Sequence, residues 1–499
     1  MSSPGKSSDF SDIKYARGTG ARVPPSHRPL RPLEWAVLIH LAILLIGTTW
    51  GFGGGAELLR PIIAWWGSLG CLLTLAAVQD REAWRDGWIK PLRWLAPLVV
   101  FNLLVLLGCF HPSFRELTYD TEIILVPTPT GASLPTSTRP ALSLHALWLF
   151  NALWISSFNL ALVIRQRRAL RGLLILIGVN ALILAVFGTV QKLSHSDGLF
   201  FGAVPSPQKH FFASFIYHNH WGAFALLSIS VFLALIWHYA RRSDDRNFFH
   251  SPAFGGLVAV LLLALTIPLS NSRSSTLLSL ALLGGAFFHW IFRLIRHRRR
   301  FRQSVALPLS TAVAALALAA AGVWFIAQDS IAMRLALTKE QVGMMRAMGG
   351  LGSRADLYRD TWRMAREKPW FGWGMASYPH VFTLYNTQKS VDKLPVFYRD
   401  AHSDWLQSLA EHGFVGTTML GLCALVPLLH LRRRHLASPV PAYLLAGCGL
   451  ILLYATVEFP LGNIAVVLTW WVCFFSAVHY ARLYDREAAT PIKSISSAH

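Results

Sequence analysis

Stretches of about twenty mostly apolar residues recur between residues 34 and 481, and nothing else in the chain constrains its fold as strongly. A membrane-crossing helix needs about 20 such residues. Twelve candidate spans can be placed, near 34–53, 58–78, 92–110, 143–164, 172–192, 212–240, 253–270, 275–295, 304–327, 402–430, 439–457 and 463–481. Apolar residues make up 54% of the chain and charged residues only 14%, against roughly 45–50% and about 25% in a soluble domain. Those figures exclude a soluble enzyme with one buried core, a disordered chain and a disulfide-rich secreted domain. The expected fold is an all-α polytopic membrane protein of about twelve transmembrane helices.

The net charge of +21 would suggest a nucleic-acid partner in a soluble protein. In a membrane protein, Lys and Arg concentrate in cytoplasmic loops instead. With both termini cytoplasmic, 29 of the 46 basic residues fall in the predicted cytoplasmic segments, including RQRRALR (165–171), RLIRHRRRFR (293–302) and RRR (432–434). Six fall in short external connections and 11 in one long external segment, 328–400. The basic charge is therefore mostly topological, and no nucleic acid is expected. The first 33 residues are too long and polar before the first apolar run for a cleavable signal peptide, and read as a cytoplasmic tail. The five cysteines lie in or beside apolar runs without paired spacing, which reads as core packing.

The predicted organisation is a basic tail (1–33), nine spans (34–327), an external subdomain with an amphipathic helix (328–400), three more spans (401–481) and a cytoplasmic tail (482–499). Residues 111–142 are rich in Pro, Thr and Ser, which suits a surface loop over the membrane. Segment 328–400 carries eleven basic and seven acidic residues with interleaved aromatics, and this mixture argues for order.

Four stretches carry candidate chemistry. In AHSDWLQSLAEHGFVG (401–416), helical spacing puts His402, Leu406, Leu409 and Gly413 on one face, and small residues there would admit a neighbouring helix. Glu411 falls on the opposite side. His402 is then either an interfacial residue capping a helix start or a general base, since imidazole exchanges a proton near neutral pH. In PLSNSRSSTLLSL (268–280), Arg273 stands at the start of a helix, where guanidinium and free backbone N–H groups together suit a phosphate or diphosphate. The alternative is an arginine snorkelling to lipid headgroups.

GSRADLYRDTWRMAREKPWFGWG (352–374) reads as an amphipathic surface helix opened by Ser353 and Asp356 and ended at Lys368-Pro369. Arg354, Tyr358, Trp362 and Ala365 form one stripe of it. Its arginines, among them Arg354, Arg359 and Arg363, either lie at the lipid headgroups or bind an anionic lipid-linked substrate. In FASFIYHNHWGAF (212–224), Asn219 either lines a cavity or bonds a neighbouring helix, and His218 and His220 are spaced wrongly to chelate one metal from a regular helix. The sequence has no Walker loop, dinucleotide fingerprint, HExxH or DxD pair. An enzyme of this kind would take a pre-activated donor from the membrane.

Taken in order, these motifs resemble the O-antigen ligase and polymerase superfamily. HSDWLQSLAEHGFVG is similar to that family's His-Asn-x-x-Leu-x-x-Leu-x-Glu-x-Gly-x-x-Gly run, with Ser403 where Asn is common. Arg354 through Trp362, Pro369, Gly372 and Gly374 resemble the stretch before it, SNSRSSTLL its Ser-Arg turn and YHNHWGAF its Asn-containing helix. The resemblance implies a GT-C-type, inverting, metal-independent glycosyltransferase of the bacterial inner membrane, without a cofactor. It would move a glycan from undecaprenyl diphosphate to an acceptor hydroxyl on the periplasmic face. The acceptor would be lipid A core for a ligase, or another lipid-linked glycan for a polymerase of O-antigen or exopolysaccharide. His402 matches the family's catalytic histidine, and Arg273 and Arg354 its diphosphate-holding arginines; Asn219, Arg359, Trp362 and Arg363 complete the expected substrate-binding set. A transporter or flippase for a lipid-linked sugar is the rival, but it predicts midplane charges and repeat symmetry, of which the sequence has little.

Overall fold

The computed structural model describes residues 28–120, 122–128, 133–240, 250–307, 310, 313–314, 343, 353–388 and 397–489. The helices are α1 (Pro32–Trp50), α2 (Leu59–Gln79), α3 (Arg81–Arg85), α4 (Ala96–Cys109), α5 (Pro140–Val163), α6 (Arg167–Leu193), α7 (His218–Ala240), α8 (Pro252–Leu269) and α9 (Arg273–Arg300). They continue with α10 (Ser353–Glu367), α11 (Tyr378–Val381), α12 (Asp404–Leu428), α13 (Arg433–Leu436), α14 (Pro439–Tyr454) and α15 (Ile464–Ala489). Among the described residues ten helices are long and apolar enough to cross a membrane, and α14 is apolar but shorter. Together they account for eleven of the twelve expected spans; the twelfth, 304–327, lies mostly outside the described residues. The protein is an all-α polytopic membrane protein.

Proline opens α1, α5, α8 and α14, a position where its missing N–H costs no helical hydrogen bond. In a membrane the polar backbone must be satisfied within the bundle, and side chains that can come close together do this best. On α2, Gly67 and Gly70 sit against Ala152 and Ser156 of α5 so tightly that an added Cβ would fall 2.8 and 2.7 Å from them. The seam is tied by Ser156 Oγ donating to the Gly67 carbonyl (3.0 Å) and Asn159 Nδ2 donating to that of Gly70 (2.8 Å). Helix α15 is the axis of the bundle, since 94% of its most apolar window is buried within the protein. Its Trp471 and Phe475 pack on Trp154 and Phe158 of α5.

One end of the bundle is rich in arginine. Arg31 and Arg165 share Asp80 at 2.5 and 3.0 Å, Arg167 pairs with Glu487, and Arg486 lies 3.8 Å over the Trp88 ring. Helix α9 also finishes in basic residues, His297 to Arg300. Helices α7, α9, α12 and α15 all begin at the opposite end.

That opposite end departs from the sequence reading in three places. The loop 111–142 contains an antiparallel hairpin, β1 (Phe114–Tyr119) with β2 (Glu122–Pro127), because Asp120 takes up the left-handed backbone a tight turn requires. The span expected from 212 starts at His218, since 212–217 form an irregular turn bridged between Phe212 and Phe215. Of segment 328–400 only 343, 353–388 and 397–400 are described; there α10 forms as expected and ends before Lys368-Pro369.

The most consequential departure is in α12, which breaks at Gly413 (φ 61°, ψ −171°). At that break the seam is filled by residues 369–374. Phe414 and Val415 donate their amides to the carbonyls of Pro369 (2.8 Å) and Trp370 (3.0 Å), while Trp373 and Gly374 donate to those of Ala410 (3.0 Å) and Glu411 (2.8 Å). The two backbones touch: a Cβ on Gly413 would lie 2.4 Å from the Trp370 carbonyl carbon, and one on Gly372 would lie 2.4 Å from that of Glu411. The Glu411 carboxylate completes the joint, accepting the amides of Ala376 and Tyr378 at 3.1 Å each. This glutamate is a clamp for the loop.

Candidate active site

Ser403 caps α12, its hydroxyl accepting the Leu406 amide at 3.4 Å. His402 therefore precedes the helix in a left-handed conformation (φ 50°), and the expected common face with Leu406, Leu409 and Gly413 does not exist. A cap requires non-helical backbone, so the residue before it leaves the helical register. Two neighbours pin the position: Tyr358 of α10 donates its hydroxyl to the His402 carbonyl (2.9 Å), and the Asp404 amide donates to the Glu458 carbonyl (3.2 Å). The imidazole stands edge-on to Phe459, with centroids 5.0 Å apart, and keeps 27% of its side-chain surface exposed.

The centre of the site is Glu458, in the short connection between α14 and α15. Its side chain is only 3% exposed. One oxygen, Oε1, accepts Arg354 Nη2 at 2.5 Å. The other, Oε2, lies 3.3 Å from His402 Nδ1 and accepts the Tyr217 hydroxyl at 3.4 Å. Asn219 Nδ2 donates to that hydroxyl at 2.8 Å, so Asn219 reaches the cluster through Tyr217. Arg354 Nη1 also donates to the Val457 carbonyl at 3.2 Å.

A buried carboxylate persists only when paired, and this one is paired twice. Burial alone would raise its pKa, but the His402 hydrogen bond and the Arg354 charge outweigh that and hold Glu458 below the usual carboxylate range. Burial would lower Arg354, and Glu458 reverses it, leaving the guanidinium more firmly charged. Tyr217 is pushed well up, first by burial and then by the Glu458 charge.

Arg273 is the exposed first residue of α9. Its neighbour Ser272 is fully buried, 2.8 Å from Ser275 Oγ and 3.3 Å from the Tyr454 hydroxyl. Tyr454 ends α14 four residues before Glu458, so the start of α9 is anchored to the helix that delivers the buried carboxylate. Arg359, Trp362 and Arg363 are not brought to His402. Helix α10 presents Arg354 and Tyr358, one turn apart, to the site. Arg359 and Arg363 lie about 140° and 180° around from Arg354, pairing with Asp356 (2.8 Å) and Asp360 (3.6 Å). Trp362 is 43% exposed.

Sequence reasoning missed Glu458 and Tyr217 as site residues. The available signal for Glu458 was a lone acid in VEFPLGN, between two apolar spans at the same end as His402; Tyr217 lay beside Asn219 in a motif already singled out.

Residues 258–421 match the family model described as O-antigen ligase. This stretch, about a third of the chain, is similar to the O-antigen ligase family. It carries Arg273, Arg354 and His402, whereas Tyr217, Asn219 and Glu458 come from outside the matched region. A search of curated proteins finds no match. The match supports a membrane glycosyltransferase of the O-antigen ligase or polymerase type, a family that implies lipid-linked glycan substrates.

Proposed function

We propose that the protein transfers a glycan from undecaprenyl diphosphate to an acceptor hydroxyl at the periplasmic face of the bacterial inner membrane, with inversion and without a metal. The observation that carries this reading is the convergence of His402 and Arg354 on one partly open site, at the bundle end opposite the arginine-rich one. The positive-inside rule assigns the arginine-rich end to the cytoplasm, which leaves the site facing outward.

In the proposed reaction His402 takes the proton of the acceptor hydroxyl as its oxygen attacks the anomeric carbon. The bond from that carbon to the diphosphate oxygen breaks, and its electron pair leaves with undecaprenyl diphosphate. Charge developing on the leaving group needs fixed cations, a role given to Arg273 and Arg354. Arg354 uses two of its five N–H donors on Glu458 and Val457, leaving three for a ligand. Asn219 supports the site through Tyr217. Arg359, Trp362 and Arg363, on the outer side of α10, are assigned to the donor lipid where it meets the headgroups.

Ligase and polymerase share this donor chemistry and differ in acceptor. The test is reconstitution with a defined undecaprenyl-diphosphate oligosaccharide and either lipid A core or a second lipid-linked unit, with the product sized by mass spectrometry. Glycan on either acceptor supports the reading and assigns the acceptor; donor carried across a vesicle bilayer without transfer would replace it with transport.

A further inference from the structure

We infer that Glu458 is the positioning residue of this site, holding the imidazole of His402 through Nδ1 so that Nε2 faces the acceptor, and seating Arg354 with its other oxygen. The inference rests on the glycosyl-transfer reading above and adds a residue that lies outside the matched O-antigen ligase region.

Geometry separates this role from that of an ordinary ion pair. An Arg354–Glu458 pair serving stability alone would use Oε1 and leave the second oxygen to solvent. Here the second oxygen is buried and turned to His402 Nδ1 (3.3 Å) and Tyr217 (3.4 Å). A neutral imidazole that donates from Nδ1 has its lone pair on Nε2. The ring cannot swing freely, because Phe459 stands against it and Tyr358 holds its backbone. When the acceptor O–H bond breaks and Nε2–H forms, the resulting imidazolium rests against a carboxylate already in place. The sugar gains the C–O bond and the diphosphate keeps the electron pair of the bond it loses.

Other groups act on this pair from each packed element. From α10 come Arg354 and Tyr358, from the turn before α7 Tyr217, from the start of α7 His218 and His220, and from the end of α14 Tyr454. Asp400 and Asp404 flank His402 in the chain, and Asp400 also interacts with its charge. Asp400→Asn is therefore the control that separates general negative charge from the specific hydrogen bond.

The experiment uses full-length protein in lipid nanodiscs, with Glu458→Gln, Glu458→Asp, Asp400→Asn and His402→Ala variants checked for monodispersity. Two readouts are taken: kcat and KM against pH, and the tautomer of His402 by nitrogen-15 NMR, identified by difference from His402→Ala. In the wild type the His402 signal should be that of the Nδ1–H form. Glu458→Gln should lower kcat about 10²-fold or more, change the donor KM less, and move the acid limb of the rate profile to lower pH. That direction follows because an uncompensated Arg354 and a missing carboxylate both disfavour the imidazolium. Glu458→Asp should recover part of the rate, and Asp400→Asn should leave the tautomer unchanged.

An unmoved pH profile and tautomer in Glu458→Gln would overturn the inference, even if the protein were less stable. If that variant does not fold, an unchanged kcat and pH profile in Glu458→Asp would overturn it instead. Full transfer by His402→Ala would defeat the underlying reading, and the tautomer readout would still judge the Glu458 contact.

Discussion

Replacing Gly413 by alanine should unlock the joint on which the site stands. Its backbone (φ 61°, ψ −171°) lies where residues with a Cβ are strained by about 1–3 kcal/mol. The new Cβ would also lie 2.4 Å from the Trp370 carbonyl carbon and oxygen and 2.5 Å from the Phe371 nitrogen, all of them backbone atoms. Relief means pulling the 369–374 turn away from α12, which breaks the Phe414–Pro369 and Val415–Trp370 hydrogen bonds, each contributing about 0.5–1.5 kcal/mol. The total is on the order of 2–6 kcal/mol. A Cβ added to Gly421, on the same helix, would meet no atom within 4 Å, so Gly421→Ala should be neutral or gain about 0.5–1 kcal/mol from helix propensity. Heating each variant in detergent and measuring the surviving monodisperse fraction reads this difference. Gly413→Ala should melt well below the wild type while Gly421→Ala should not. Equal melting of the two would refute the interlock.

Arg273→Lys should lose most transfer activity at unchanged protein level, because a point charge does not replace a guanidinium fork; wild-type turnover would remove Arg273 from the diphosphate site. Arg359→Ala and Arg363→Ala should raise the donor KM with kcat retained, as read by steady-state kinetics in nanodiscs. Glu458 has a depressed carboxyl pKa, so its stabilising contribution is present above the unfolded value of about 4.3 and is lost as pH falls through the folded one. The melting temperatures of wild type and Glu458→Gln should therefore draw together progressively as the pH falls below that unfolded value. Lys368, 4.4 Å over the Trp373 ring, is lowered by burial to about 8. The unfolded chain then binds the extra proton between about pH 8 and 10.4, so stability should rise with pH across that window and the rise should disappear in Lys368→Met.

The spans were legible because membrane burial writes itself as length: twenty apolar residues read the same in the sequence as in the bundle. The spans expected from 34, 143, 253 and 439 begin within three residues of the prolines that open α1, α5, α8 and α14, and α10 followed from its amphipathic spacing. The register of His402 was not legible, since Ser403 as a cap and Asp404 as a first helical residue look like any other helical pair until Leu406 is seen donating to Ser403. The joint at Gly413 depends on residues 369–374 arriving from forty residues away, and the glycines alone suggested only close packing. Glu458 stayed hidden because one acid between two spans makes no pattern; its meaning comes from Arg354, Tyr217 and His402 surrounding it.

The most direct measurement is glycan transfer by purified His402→Ala protein, supplied with an undecaprenyl-diphosphate oligosaccharide and acceptor under conditions where the wild type turns over. Transfer should vanish while the variant stays monodisperse and still binds the donor. Transfer at the wild-type rate would contradict the assignment of this site.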